Sequence, residues 1–330
     1  MPNGHDVHLY TISCGQLIAK VSDLGATLVS LYVPGRNGCV DDVVLGYDSP
    51  AGYLESDTYF GATVGRNANR VGQACFVLGN QTWRMPNNEG ANNLHSGPDG
   101  YNIRLWSVES HAENSITLSL HSPHGDQGFP GNADIRVRYT LNGDGLQIVY
   151  DAVADRDTVF NLTNHSYFNL AGHDQQDKAM DQILSMPARF FNPDDAANIP
   201  TGELRSVAST PMDFREPKPL GRDIAADYEP LHLQGGYDHN FEVFCNPAAI
   251  LSDPHSGRSM AVYTDCPGVQ LYTGNFTKGT GKDGVEYRIR CGVCLETQYY
   301  PDAVNHPEWP QPFVKAGEPY HSETTYRFSW

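Results

Sequence analysis

The run Ser115-Ile-Thr-Leu-Ser-Leu120 alternates apolar and polar side chains with a strict period of two, and Asp134-Ile-Arg-Val-Arg-Tyr139 repeats the pattern after a Gly/Pro turn. Alternation of this kind puts every second side chain on one face, the mark of a half-buried antiparallel strand and not of an amphipathic helix. Asp134 to Leu141 leads through Asn142-Gly-Asp-Gly145 into Leu146-Gln-Ile-Val-Tyr150, which predicts a hairpin with Gly supplying positive φ at the turn. Similar short runs occupy Gln16–Val21, Thr27–Val33, Ala74–Leu78, Met260–Thr264, Val269–Tyr272 and Tyr287–Leu295. Helical patterns are few: Pro50–Glu55 and Asp223–Tyr228 each suit a turn or two. With 32 Gly and 22 Pro in 330 residues, turns are favoured over long helices. No linker-like stretch or internal repeat interrupts the chain. The expectation is an all-β fold, a large antiparallel β-sandwich with few short helices, as a single domain over residues 1–330.

Several function classes are excluded at this level. A net charge of −17 makes nucleic acid a poor partner. Met1 to Leu9 carries His5, Asp6 and His8 where an export signal needs a basic start and an apolar run, and nowhere do 18 apolar residues follow one another. A soluble, cytoplasmic protein with no membrane partner is expected. The seven Cys are odd in number and scattered, which suits free, mostly buried thiols. In the C-x-x-C of Cys291 and Cys294 the two side chains fall on opposite faces of an unbulged strand, so no metal is expected there. The close pairs His5/His8 and His121/His124 lack a third ligand and read as surface histidines. Gly274 to Lys282 lacks the glycine spacing of a phosphate loop, so nucleotide binding is discarded.

Three windows carry chemistry. In Phe160-Asn-Leu-Thr-Asn-His-Ser-Tyr-Phe-Asn-Leu170, period two gives one face of Phe160, Leu162, Phe168 and Leu170. The other face holds Asn161, Thr163, His165, Tyr167 and Asn169, a composition suited to the floor of a polar groove rather than to a solvated surface. In Cys294-Leu-Glu-Thr-Gln298 the same parity groups Cys294, Glu296 and Gln298. A desolvated Glu296 there has a raised pKa and suits a general base, whereas an ordinary surface Glu is an equal reading of the pattern. The loops Gly65-Arg-Asn-Ala-Asn-Arg70 and Asn92-Asn-Leu-His-Ser-Gly97 are dense in hydrogen-bonding side chains, although Asn and Gly also serve turns for backbone reasons. Gly236-Tyr-Asp-His-Asn-Phe241 reads as a turn into a strand, with Asp238 capping a backbone N–H. The 18 Tyr and 4 Trp supply aromatic faces on which sugar rings stack, so a carbohydrate ligand fits.

Taken in order, these windows, together with Pro267-Gly-Val-Gln-Leu-Tyr-Thr-Gly-Asn275 and the continuation of the Cys294 window to Asp302, resemble the signatures of the aldose 1-epimerase (galactose mutarotase) family over nearly the whole chain. The resemblance implies that family's β-sandwich and interconversion of the α and β anomers of a free hexose such as D-galactose or D-glucose. No cofactor and no metal are implied. Position by position it implies Glu296 as general base, His165 as general acid and His95 as a hydrogen-bonding group that stabilises charge as the ring opens. Asn69, Arg70, Asp238 and Gln270 match substrate-binding positions. The expected partner is a monosaccharide, and the protein a monomer or weak homodimer. Residues up to about Gly46 and from Gly172 to Pro230 carry few signatures. A phosphorylated sugar would require an additional basic cluster, for which Arg66 and Arg104 are unassigned candidates. Two rivals from other classes are a carbohydrate-binding module, which needs neither Glu296 nor His165, and a glycoside hydrolase pairing Glu296 with Asp238.

Overall fold

A computed structural model describes residues 6–330. Its largest sheet has nine strands in the spatial order Ser107–His111, Ser115–Ser122, Ala133–Asn142, Gly145–Ala154, Tyr320–Ser329, Ser259–Thr264, Ala249–Ser252, Ile183–Ser185 and Lys218–Pro219. A second sheet has six strands, in the order Tyr167–Phe168, Val293–Gln298, Gly268–Tyr272, Asp238–Glu242, Phe190–Phe191 and Arg205–Ser206. A third, formed by Leu9–Cys14, Leu17–Ser22, Thr27–Pro34 and Val40–Asp42, has four. The strand pairings within these sheets are antiparallel. Two α-helices, Pro50–Glu55 and Glu229–Gln234, have six residues each. No helix among the described residues is long and apolar enough to cross a membrane.

The alternation seen in the sequence is what builds the core. Ile135, Val137 and Tyr139 from one strand and Leu146, Ile148 and Tyr150 from its hairpin partner are all buried on the inner face of the nine-stranded sheet. They share a core with Phe168, Val269, Leu271, Val293 and Leu295 from the inner face of the six-stranded sheet. The Tyr326 hydroxyl donates to the Leu295 carbonyl at 3.3 Å, and its ring lies 5.0 Å from that of Phe168, so the two sheets touch directly. Each such apolar side chain contributes roughly 1.5–3 kcal/mol through its removal from water. With the inner face committed to the core, the outer face of the six-stranded sheet is left to line a cavity.

Several local expectations are corrected. The hairpin pairs Asn142 with Gly145, but neither Gly143 nor Gly145 has a positive φ. Gly145 is required by a close approach instead, because a Cβ there would lie 2.7 Å from the Tyr326 carbonyl oxygen of the adjoining strand. Asp223–Tyr228 is not helical: the helix starts at Glu229, after a Tyr228 cap, with Pro230 presetting φ in the first turn. The run Tyr287–Leu295 is broken into Glu286–Tyr287 and Val293–Gln298 by a turn. All seven Cys are free, but only Cys266, Cys291 and Cys294 are buried, while Cys39 and Cys245 are exposed. His121 is an exposed partner of Asp134, His124 accepts the Gly131 N–H, and His8 pairs with Asp23; His5 lies outside the described residues.

Candidate active site

Sheet register assembles half of the site. Gln270 sits directly opposite Glu296 and Asn240 opposite Gln270; in the next row Cys294 faces Tyr272, which faces Asp238. Residues opposite one another in antiparallel strands share a face, so Glu296, Gln270, Tyr272 and Asp238 all project from the sheet's outer side. His165 joins them from the neighbouring edge, where Tyr167 pairs with Cys294. The 160–170 window is not one continuous strand. Short bridges at Thr163–Asn164 and Tyr167–Phe168 leave His165 between them, its N–H bonded to the Ala62 carbonyl and its carbonyl to the Gly61 N–H. The expected parity survives the breaks, with Phe160, Leu162, Phe168 and Leu170 in the core. On the polar face only His165 and Tyr167 reach the cavity. Asn161 instead bonds the Tyr299 N–H and the Ala68 carbonyl, and Asn169 the Gln175 and Cys291 carbonyls.

The other half comes from the two polar loops. A two-residue ribbon pairs Arg70 with Leu94 and Val71 with Asn93, which brings the Gly65–Arg70 loop against the Asn92–Gly97 loop. Asn69 and His95 both take left-handed backbone conformations, φ 63° and 54°. Asn tolerates this geometry and His less so, the kind of local strain that gathers at functional sites. The Asn69 N–H donates to Nδ1 of His95 at 3.1 Å. Because Nδ1 therefore presents a lone pair, the neutral ring carries its proton on Nε2, and His95 is a donor at that nitrogen. Burial, helped by His165 and Arg70, holds its pKa well below the usual histidine value.

The cavity encloses about 520 Å³, and Asn69, Arg70, His95, His165, Asp238 and Glu296 all line it. Gln270 does not: it lies beneath, donating to Asp238 at 2.7 Å and accepting from Gln298 at 3.2 Å. Asp238 thus receives its bond from a side chain, not from the backbone N–H expected of a cap. Arg70 grips Glu89 through two bonds of 2.8 and 3.0 Å, and its guanidinium also lies 3.8 Å from Asp238.

At the centre, Nε2 of His165 is 3.6 Å from Oε2 of Glu296, and that oxygen is buried with no hydrogen-bond partner. Burial, with Asp238 adding to it and Arg70 opposing, pushes the Glu296 carboxyl well above the ordinary carboxylate range. Burial likewise lowers His165, to about 4. Both directions favour an uncharged pair, with the shared proton on Glu296. His165 is clasped between Tyr167 and Tyr59, whose rings lie nearly parallel to it at 5.1 and 5.8 Å. Ligand-type atoms of His95, His165 and Glu296 lie within 4.8 Å of one another, so the three side chains converge on one point of the cavity.

Some site residues left little trace in the sequence. Tyr272 had a signal, since it shares parity with Gln270. Tyr59 and Glu89 had none, because they reach the cavity from loops without periodicity. Arg66 and Arg104 are not part of the site. Arg66 is buried against the Pro130, Gly131 and Ser122 carbonyls, and Arg104 is paired with Asp126 and Asp99.

A family model described as aldose 1-epimerase matches residues 8–327. A galactose mutarotase from Bos taurus is 41% identical, with 98% of this chain and 94% of that protein covered. An aldose 1-epimerase from Escherichia coli is 36% identical, with 99% and 96% covered. Among solved structures, an aldose epimerase homologue from C. elegans superposes with a TM-score of 0.91 at 32% identity, covering 98% of this chain and 99% of the other. A galactose 1-epimerase from Lactobacillus acidophilus gives 0.85 at 28% identity, covering 98% of both. The chain belongs to the aldose 1-epimerase family.

Proposed function

We propose that this protein interconverts the α and β anomers of a free hexose, with D-galactose and D-glucose as substrates, using Glu296 and His165 as its proton-transfer pair. The observation that carries the reading is the 3.6 Å separation of an unpartnered Glu296 oxygen and the His165 Nε2 inside a buried polar cavity. Glu296, ionised, removes the proton of the C1 hydroxyl while protonated His165 gives its own to the ring oxygen, and the C1–O5 bond breaks to the open aldehyde. Rotation about C1–C2 turns the other carbonyl face toward the returning O5 hydroxyl. Glu296, now protonated, and His165, now neutral, exchange roles and close the ring with inverted configuration. The proton count of the pair is constant throughout, and its neutral state is the one that faces the open chain. Nε2–H of His95 supplies a fixed donor to the oxygen on which charge develops.

Asp238 and Arg70 are suited to bind sugar hydroxyls, one as acceptor and one as donor, with Asn69 beside them. A hydrolase would need Asp238 as a second working carboxylate, but it already accepts from Gln270 and faces Arg70. A pure binding module has no use for a buried, unpartnered carboxylate oxygen, which is costly to maintain. Arg66 and Arg104 both being engaged elsewhere favours an uncharged sugar over a sugar phosphate. The test is mutarotation of freshly dissolved α-D-galactose and α-D-glucose, followed by polarimetry against a buffer-only trace. Faster approach to an unchanged equilibrium supports the proposal, and no acceleration by folded protein refutes it.

A further inference from the structure

The two histidines of the site differ in what their Nδ1 atoms touch. In His95 the partner is a backbone N–H, which only donates, so the ring is fixed with its proton on Nε2. In His165 the partner is the Sγ of Cys294 at 3.5 Å. A thiol sulfur accepts as well as donates, although weakly. Cys294 is fully buried, and among the described residues this is its one side-chain hydrogen bond. It is placed there by the sheet, whose register sets Cys294 opposite Tyr167, two residues along the strand from Glu296 and on the same face.

We propose that Cys294 is a positioning residue for His165: its sulfur accepts the Nδ1–H, which keeps Nε2, the nitrogen facing Glu296, as the atom that gains and loses the proton. The inference rests on His165 being the acid of the proposed reaction. When the ring of the sugar reopens or recloses, Nε2 must alternate between N–H and lone pair. An imidazole alternates at Nε2 without ring rotation only if its other proton stays on Nδ1 throughout. A partner that could only donate, such as the N–H facing His95, would place the neutral ring's proton on Nε2 and leave no lone pair there to take a proton back. The thiol supplies an acceptor without adding charge beside Glu296, and burial, with Glu296 adding to it, pushes its pKa up, so it remains S–H.

The test combines imidazole ¹⁵N NMR of the labelled protein with steady-state kinetics. At neutral pH the wild-type His165 is expected to show a protonated Nδ1 and an unprotonated Nε2. Cys294→Ala should move the proton toward Nε2 and lower kcat by about tenfold with KM unchanged, the scale on which ring-orienting partners act. Cys294→Ser, whose hydroxyl accepts at the same place, should restore most of the rate and the wild-type nitrogen pattern. A wild-type ring protonated on Nε2, or a Cys294→Ala protein with unaltered kcat and nitrogen pattern, overturns the proposal. If His165→Asn is inactive while Cys294→Ala is unaffected, only the positioning role fails. If His165→Asn keeps full turnover, the acid assignment fails and the positioning role falls with it.

Discussion

His165 and Glu296 face each other across 3.6 Å, and the Glu296 oxygen that meets the imidazole has no hydrogen-bond partner. Sheet register brings Glu296 there and a pair of short bridges brings His165, so two residues 131 positions apart in the chain meet in one contact. The chemistry available to the pair depends on each retaining its proton-transfer group.

Glu296→Gln and His165→Asn should each lower kcat for galactose mutarotation by at least about 10²-fold, because each removes a general acid–base step of typically 10²–10⁴-fold. Both substitutions are close in size, so the unfolding midpoint should move little. Initial-rate polarimetry is the measurement, and near-normal rates in both variants would exclude the assignment.

The pH–rate profile should be bell-shaped, with an acid limb near pH 4 and an alkaline limb displaced upward by the burial of Glu296. Below about pH 4 His165 is protonated while Glu296 already holds its proton, so the pair carries two protons and has no base. Above the raised pKa of Glu296 the pair carries none and has no acid. The two limbs belong to the coupled pair and not to one residue each. An acid limb centred near neutral pH would contradict this picture.

Gln270→Ala should raise KM by about tenfold with kcat nearly unchanged. The Gln270 amide does not reach the cavity but donates at 2.7 Å to Asp238, and losing a hydrogen bond to a charged group costs about 1.5–3 kcal/mol. Its removal also raises the Asp238 pKa further, since burial already pushes that carboxyl up and Gln270 opposes the shift. Rates measured over a range of galactose concentrations decide the matter; an unchanged KM would show that Asp238 does not bind the sugar through this orientation.

Arg66→Met should destabilise the fold by about 3 kcal/mol or more while leaving kcat per folded molecule intact. The Arg66 guanidinium is 1% exposed and satisfies the Pro130, Gly131 and Ser122 carbonyls and the Thr158 hydroxyl, and each acceptor left without a donor carries a desolvation cost. Urea unfolding gives the stability and polarimetry the activity. A loss of turnover without a loss of stability would return Arg66 to the site.

The sequence by itself determined which face each residue takes, though not every strand's bounds. Period-two alternation is a local property, written into residues such as Ile135, Val137 and Tyr139, and whichever way the sheets stack, those side chains leave water together. The same parity correctly put Cys294, Glu296 and Gln298 on one side and Leu295 on the other, even where the strand around His165 was broken into bridges. Ordered motifs named Asn69, Arg70, His95, His165, Asp238 and Glu296, all of which line the cavity, and Gln270, which lies beneath it. Only the tertiary structure decided which polar residues face that cavity and which serve the backbone. Asn161, Asn169 and Arg66 look as functional in the sequence as Asn69 and Arg70 do, but their partners are carbonyls and N–H groups supplied by distant segments. It also decided the protonation of the site. A burial that pushes Glu296 up and His165 down, and the separate partners of the two Nδ1 atoms, arise from packing between strands and loops far apart in the chain, for which no local pattern of residues is a record.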